Sequence, residues 1–119
     1  MDDRGLRAAL LGDASPGDIR HALRSGATIL DIRDLSSYED GHIAGSMHIP
    51  LGELLTNLSR IPRRKPVVTC NAGAAESATA AEILNAHGFE ALNGGDWQHV
   101  AALLRSVRAE EGDAPADRC

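Results

Sequence analysis

The sequence predicts a single α/β domain in which a parallel sheet of about four to five short strands is covered by helices on both faces. Three observations predict it. Short apolar runs of strand length alternate along the chain with segments of helical periodicity. The chain has 119 residues, enough for one core and too few for two domains of ordinary size. Its composition, 43% hydrophobic and 24% charged, is that of a globular domain, and with only 3% aromatic residues Ala, Leu, Ile and Val must fill the core.

Residues 1–13 carry Leu6, Leu10 and Leu11 at near-helical spacing and are read as an N-terminal helix or arm. The domain proper is placed at 14–108. Ser15-Pro16 reads as an N-cap followed by proline at the first helical position, and Ile19, Ala22 and Leu23 give that helix an apolar face before Gly26 stops it. The apolar run 27–32 is too short for a helix and suits a buried strand. Residues 34–40 form a short helix ended by Gly41, and 46–49 a second strand before Pro50. Leu51, Leu54, Leu55 and Leu58 then follow the helical period. The third strand is 67–70, and the helix after it, from about Ala75 to His87, carries Ala80, Ala81, Ile83 and Leu84 with Gly88 at its end. The fourth strand, 89–92, leads to Gly94-Gly95 and a last helix over 97–107. Residues 109–119 are polar and are read as a disordered tail, because they bury too little apolar surface to offset the entropy of ordering.

A net charge of −5 argues against a nucleic-acid or anionic-membrane surface, and the one basic run, Arg60 to Lys65, is interrupted by Ile61 and Pro62. No stretch approaches the roughly 20 apolar residues of a membrane span. The opening Met1-Asp2-Asp3 lacks the layout of a signal peptide, so a cytoplasmic protein is expected. The two cysteines, Cys70 and Cys119, make no disulfide framework, which leaves Cys70 a free thiol. No Cys-x-x-Cys is present, and His21, His42, His48, His87 and His99 include no i, i+4 pair, so neither metal nor cofactor is expected.

Cys70 is the most informative residue. It ends the run Val67-Val68-Thr69 and is followed by Asn71, Ala72, Gly73, Ala74, Ala75, Glu76 and Ser77 at a helix start. In parallel sheets ligands bind at the carboxyl ends of the strands, and there the unpaired N–H groups and the dipole of a helix N-terminus form an anion cradle that favours a thiolate. The bland alternative is a buried structural thiol. The loop holds no cation and carries a carboxylate, Glu76, which either complements the helix dipole or selects the donor.

Asp31-Ile32-Arg33, Tyr38, Gly41-His42-Ile43-Ala44-Gly45-Ser46 and Ile49-Pro50-Leu51 resemble the front half of a rhodanese domain. Val67-Val68-Thr69-Cys70, Ser77-Ala78, Ala81-Glu82, Gly88-Phe89 and Gly94-Gly95 resemble its back half, so the resemblance spans roughly residues 14–105. It implies a rhodanese-like three-layer fold and a sulfurtransferase. Cys70 would be the catalytic nucleophile that takes the outer sulfur of a donor such as thiosulfate, holds it as a persulfide and passes it to cyanide or a thiol acceptor. The backbone N–H groups of Asn71 to Ser77 would be the anion cradle, with Asp31 and Arg33 in support. The partners implied are a small sulfur donor or a persulfide-donating protein, and a thiol acceptor.

Two departures qualify what the resemblance implies. Rhodaneses usually have Cys, four residues and Arg before the helix-starting Ser, whereas here Cys70 reaches Ser77 through six residues, and Glu76 or Ala75, depending on alignment, fills the arginine's place. The related phosphatases and arsenate reductases need an Arg for a bidentate grip on an oxyanion, so that reading is poor. Arg63, Arg64 and Lys65 stand at the far end of the strand and cannot replace it. The second departure is Ser37, where the family commonly has an acid, and Arg33 is expected to turn to Glu76 instead. Weak activity towards thiosulfate follows, and the competing class is a rhodanese-fold module that binds or regulates a protein partner with little chemistry of its own. His42 and His48 are read as structural, Trp97 and His99 as core or rim of the site, and Cys119 as an exposed tail residue or a resolving thiol.

Overall fold

The computed structural model describes residues 15–116, so the arm read at 1–13 and the last residues, including Cys119, lie outside the described residues. The chain opens with helix α1 (Pro16–Arg24), which is capped as the sequence suggests and more fully. Ser15 Oγ accepts the Asp18 N–H at 3.1 Å and the Asp18 carboxylate accepts the Ser15 N–H at 3.2 Å, a reciprocal capping box. Strand β1 (Thr28–Asp31), helix α2 (Leu35–Asp40) and strand β2 (Met47–His48) follow. Asp34 caps α2 by accepting the Ser37 N–H at 2.8 Å.

Residues 51–58, which the leucine spacing suggested as a helix, fold instead as short 3₁₀ turns at Leu51–Glu53 and Leu58–Arg60. Side chains take the carbonyl that a helix would use. Glu53 O accepts Asn57 Nδ2 at 2.7 Å and Thr56 Oγ1 at 3.1 Å, while the Asn57 N–H turns to Leu54 O. Leu54 is fully buried and Leu55 is 59% exposed, so the leucines seal the edge of the core without making a helical stripe.

Strand β3 (Val67–Asn71) runs one residue past Cys70, and helix α3 (Ala74–Ala86) begins sooner than its sequence pattern suggested. Strand β4 (Ala91–Asp96) starts later than expected and runs through Gly94-Gly95. Gly94 is required there by space, since a Cβ would sit 2.5 Å from the Thr69 carbonyl oxygen and 2.7 Å from methyls of Val68 and Val100, and Gly95 has φ of 75°. Helix α4 (Trp97–Ala116) extends through most of the segment expected to be a disordered tail. Ala109, Glu110 and Glu111 are good helix formers, and Glu110 lies across from α1, where it pairs with Arg20 at 2.6 Å and Arg24 at 3.1 Å.

Among the described residues four strands, all parallel, form one sheet in the order β2-β1-β3-β4, with Leu30 opposite Met47, Thr69 opposite Asn93, and Asp31 opposite Cys70. Strand alternation divides the core into two layers. Leu30, Ile32 and Val67 pack with Ala80, Ala81 and Leu84 of α3 on one face. Ile29, Val68 and Cys70 pack with Ile19 and Leu23 of α1 and Val100 and Val107 of α4 on the other. Among the described residues no helix is long and apolar enough to cross a membrane, and no group of His, Cys, Asp and Glu is arranged to hold a metal ion.

Candidate active site

Asp31, the last residue of β1, and Cys70, one residue before the end of β3, lie side by side on adjacent central strands, and each is almost wholly buried. Asp31 is satisfied by one partner. Its Oδ1 accepts the Arg33 backbone N–H and Nε, each at 3.0 Å, and its Oδ2 accepts Arg33 Nη2 at 2.8 Å. The same Nη2 donates to Gly41 O at 2.7 Å, and the guanidinium lies over the Trp97 ring, 4.7 Å from its centroid. The hydrogen bonds it donates to Asp31 raise the Arg33 pKa above its already high ordinary value. Arg33 therefore turns to Asp31, not to Glu76 as the sequence suggested: the chain leaves β1 after Asp31, and the bend at Arg33 brings its backbone N–H and guanidinium back onto that carboxylate.

Glu76 has a different partner. It is exposed in the first turn of α3, and its Oε1 accepts Asn71 Nδ2 at 2.7 Å, which clasps the turn between β3 and α3. The segment read as an open loop is compact: Asn71 is the last residue of the strand, Ala72 and Gly73 make the turn, and Ala74 to Ser77 form the first turn of the helix. Ala72, Gly73, Ala75 and Glu76 are exposed, whereas Asn71 and Ser77 are buried. Thr69 and Asn93, which sequence reasoning passed over, complete the clasp. Thr69 Oγ1 donates to Ser77 O at 2.8 Å, Ser77 Oγ reaches Asn93 Oδ1 at 2.5 Å, and that oxygen also accepts the Gly95 N–H at 3.0 Å. The signal for Asn93 was its place before a glycine pair, where an Asn side chain commonly bonds to the backbone two residues on.

Cys70 points the other way, into the apolar layer of α1 and α4, and is fully buried. Burial pushes its thiol up to about 12; the Asp31 carboxylate adds to the rise, Arg33 opposes it, and Asp96 adds further. At pH 7 only about one thiol in 10⁵ is then ionised. The sequence suggested a thiolate favoured by the helix N-terminus. In this conformation desolvation outweighs that help, because Sγ lies with α1 and α4 while α3 covers the opposite face.

Beside these groups, at the carboxyl ends of β1 and β3, lies a cleft of about 360 Å³ lined by Arg33, Asp34, Pro50, Leu51, Asn71, Ala72 and Glu76 among others. Cys70 is not part of its lining, but its neighbour Asn71 is. The hydrogen bond from the Ser37 N–H holds the exposed Asp34 carboxyl below the usual range. Behind the cleft the Tyr38 ring stacks between His42 and His48, with centroids 3.8 and 4.3 Å apart, and its hydroxyl donates to Ser46 O at 3.0 Å. His42 Nδ1 lies 2.7 Å from Tyr38 O and His48 Nε2 2.7 Å from Arg33 O, so both imidazoles fasten the 38–48 turn. Trp97 is half-buried against Arg33, and His99 is exposed.

A parallel sheet between two helical layers, with a cysteine at the end of a central strand beside a buried Asp–Arg pair, defines a three-layer α/β domain of the rhodanese-like kind. Residues 15–100 match the Rhodanese-like domain family. The chain is 37% identical over 92 residues to thiosulfate sulfurtransferase GlpE of Stutzerimonas stutzeri, covering 71% of this chain and 84% of that protein. Among solved structures it is similar to reduced Bacillus anthracis CoADR-RHD, with a TM-score of 0.63 at 23% identity over 76% of this chain and 16% of that one. It is also similar to a rhodanese-like domain protein from Staphylococcus aureus, with a TM-score of 0.61 at 24% identity over 72% of this chain and 86% of that one. The chain belongs to the rhodanese-like domain family.

Proposed function

We propose that this chain is a cytoplasmic sulfurtransferase that carries sulfane sulfur as a persulfide on Cys70 and turns over thiosulfate only weakly. The observation that supports it best is Cys70 at the carboxyl end of a central strand, opposite Asp31, in a domain related along most of its length to a thiosulfate sulfurtransferase. The reaction is nucleophilic. The Cys70 thiolate attacks the outer sulfur of thiosulfate, the Sγ–S bond forms as the S–S bond breaks, and sulfite leaves with the bonding pair. An acceptor thiolate then takes the terminal sulfur and returns Cys70 as a thiolate. Sγ must first be freed from its apolar layer by opening of the 71–77 turn, whose N–H groups then serve the anionic sulfur.

The weakness has three sources: a thiol pKa near 12, an Arg33 already committed to Asp31, and a carboxylate at Glu76. Losing one charge-assisted contact to the donor anion alone lowers the rate roughly 30- to 1000-fold, or about 2–4 kcal/mol. The test is thiocyanate formation from thiosulfate and cyanide. Slow turnover that disappears in Cys70→Ser is expected; equal rates in the two proteins would overturn the assignment. The complete burial of Cys70 favours a second reading, a rhodanese-fold module that binds or regulates a protein partner. Absence of any sulfur adduct from any donor would favour it.

A further inference from the structure

We infer that the cleft at the carboxyl ends of β1 and β3 selects cationic, low-molecular-weight persulfides of the aminothiol class, with Glu76 as the specificity-determining residue; this rests on the sulfur-transfer reading above. The charge inventory of the cleft carries the inference. Among the described residues Arg33 is the one cation in its lining, and it is neutralised by the buried Asp31, bound to Gly41 O and stacked on Trp97, with a side chain only 8% exposed. The other charged groups of the lining are the carboxylates of Asp34 and Glu76, both exposed. The cleft as a whole thus faces a ligand with negative charge.

The two carboxylates differ in what they can do. Asp34 is engaged as the cap of α2. Among the described residues Glu76 is held by the buried amide of Asn71 through Oε1 alone, which places the carboxylate beside the cleft while the 71–77 turn is closed, the state an arriving donor meets first, and uses one of its roughly four acceptor positions. A carboxylate placed in this way favours an ammonium and opposes a sulfonate or thiosulfate by about five- to tenfold per unit of ligand charge at low salt. The volume, near the low end of the usual range for ligand sites, suits a short aliphatic donor, and Pro50 and Leu51 supply an apolar wall for its methylenes.

The step balances without an outside oxidant. The Cys70 thiolate attacks the terminal sulfur of R–S–SH, the Sγ–S bond forms as the R–S–S bond breaks, and RS⁻ departs with the electron pair while the proton stays on the transferred sulfur. Cys70 is oxidised to the persulfide level as the donor is reduced to a thiolate.

The test uses the full chain and three donors of similar size: the persulfides of cysteamine (cation), 2-mercaptoethanol (neutral) and 3-mercaptopropionate (anion). The readout is the rate at which Cys70 gains one sulfur, followed by intact mass, in the native protein, Glu76→Gln and Glu76→Arg. Because the leaving thiols differ in acidity, the decisive quantity is the change in the cation-to-anion rate ratio between proteins. We expect that ratio to fall about five- to tenfold in Glu76→Gln and further in Glu76→Arg, and the differences among the three proteins to shrink at 1 M salt, where the Debye length is about 3 Å. A ratio that Glu76→Gln leaves unchanged, with all three donors loading Cys70, would overturn the selectivity and keep the sulfur carrier. No adduct from any donor would remove the carrier reading, and the donor class with it.

Discussion

Cys70 and Asn71 are neighbours in one strand, yet the two faces of the sheet treat them in opposite ways. Asn71, with Thr69 two residues before it, turns to the start of α3 and joins a hydrogen-bonded clasp through Glu76, Ser77 and Asn93. Cys70, with Val68, turns to α1 and α4 and packs in an apolar layer. The polar face holds the turn in place and the apolar face raises the thiol pKa. On the sulfur-carrier reading proposed above, reactivity at Cys70 is expected to depend first on how firmly the clasp keeps the strand end closed, since burial outweighs the nearby charges in raising the thiol pKa.

Overpacking the junction of the two faces should have the largest effect. Gly94→Ala forces a methyl against the Thr69 carbonyl and the Val68 and Val100 side chains, and is expected to destabilise the domain by about 3 kcal/mol in urea unfolding. Gly95→Ala meets no such crowding and bears only the strain of a positive φ, about 1 kcal/mol. Equal effects at the two positions would mean that β4 does not press on β3 as described. Next in size is the polar face. Ser77→Ala removes the hydroxyl that bonds Asn93 Oδ1 and Gly73 O and should lower stability by about 1–2 kcal/mol, while increasing the rate at which iodoacetamide alkylates Cys70 at pH 7.5.

The apolar face has a pH signature. The folded thiol pKa, about 12, lies above the ordinary value near 8.5, so the unfolded chain ionises first as pH rises. The stability contributed by keeping Cys70 neutral is complete below about pH 8.5 and is lost progressively towards pH 12. Alkylation of the native protein should accordingly climb about tenfold per pH unit through pH 10, with no plateau near 8.5. The smallest effect is expected far from the site. Glu110→Gln weakens exposed pairs with Arg20 and Arg24 and should lower the melting temperature by about a degree or two at low salt and less at high salt.

Much of this arrangement was legible in the sequence. The strand-and-helix alternation, the Ser15-Pro16 start and the Gly41 stop follow from local rules that the structure obeys, whereas β3 runs one residue beyond Cys70, where the sequence pattern ended it. The pairing of Arg33 with Asp31 was only partly legible, because Arg33 lies in the bend after β1, where its direction is set by Gly41 O and Trp97 as well as by Asp31. The orientation of Cys70 was not legible. It depends on β3 continuing to Asn71 and α3 starting at Ala74, and element ends are set by tertiary partners such as Thr69 and Asn93 more than by local preference. The leucines of 51–58 show the same limit, since helical spacing describes their burial but not the side-chain bonds to Glu53 O that cut the helix short.

The most direct measurement is the intact mass of the native protein and of Cys70→Ser after incubation with a small persulfide donor, followed by mapping of the adduct to a peptide. A gain of one sulfur on the peptide that contains Cys70, absent from Cys70→Ser and discharged by an acceptor thiol, is the result expected of a sulfur carrier. No gain, or a gain of equal size in Cys70→Ser, would contradict it.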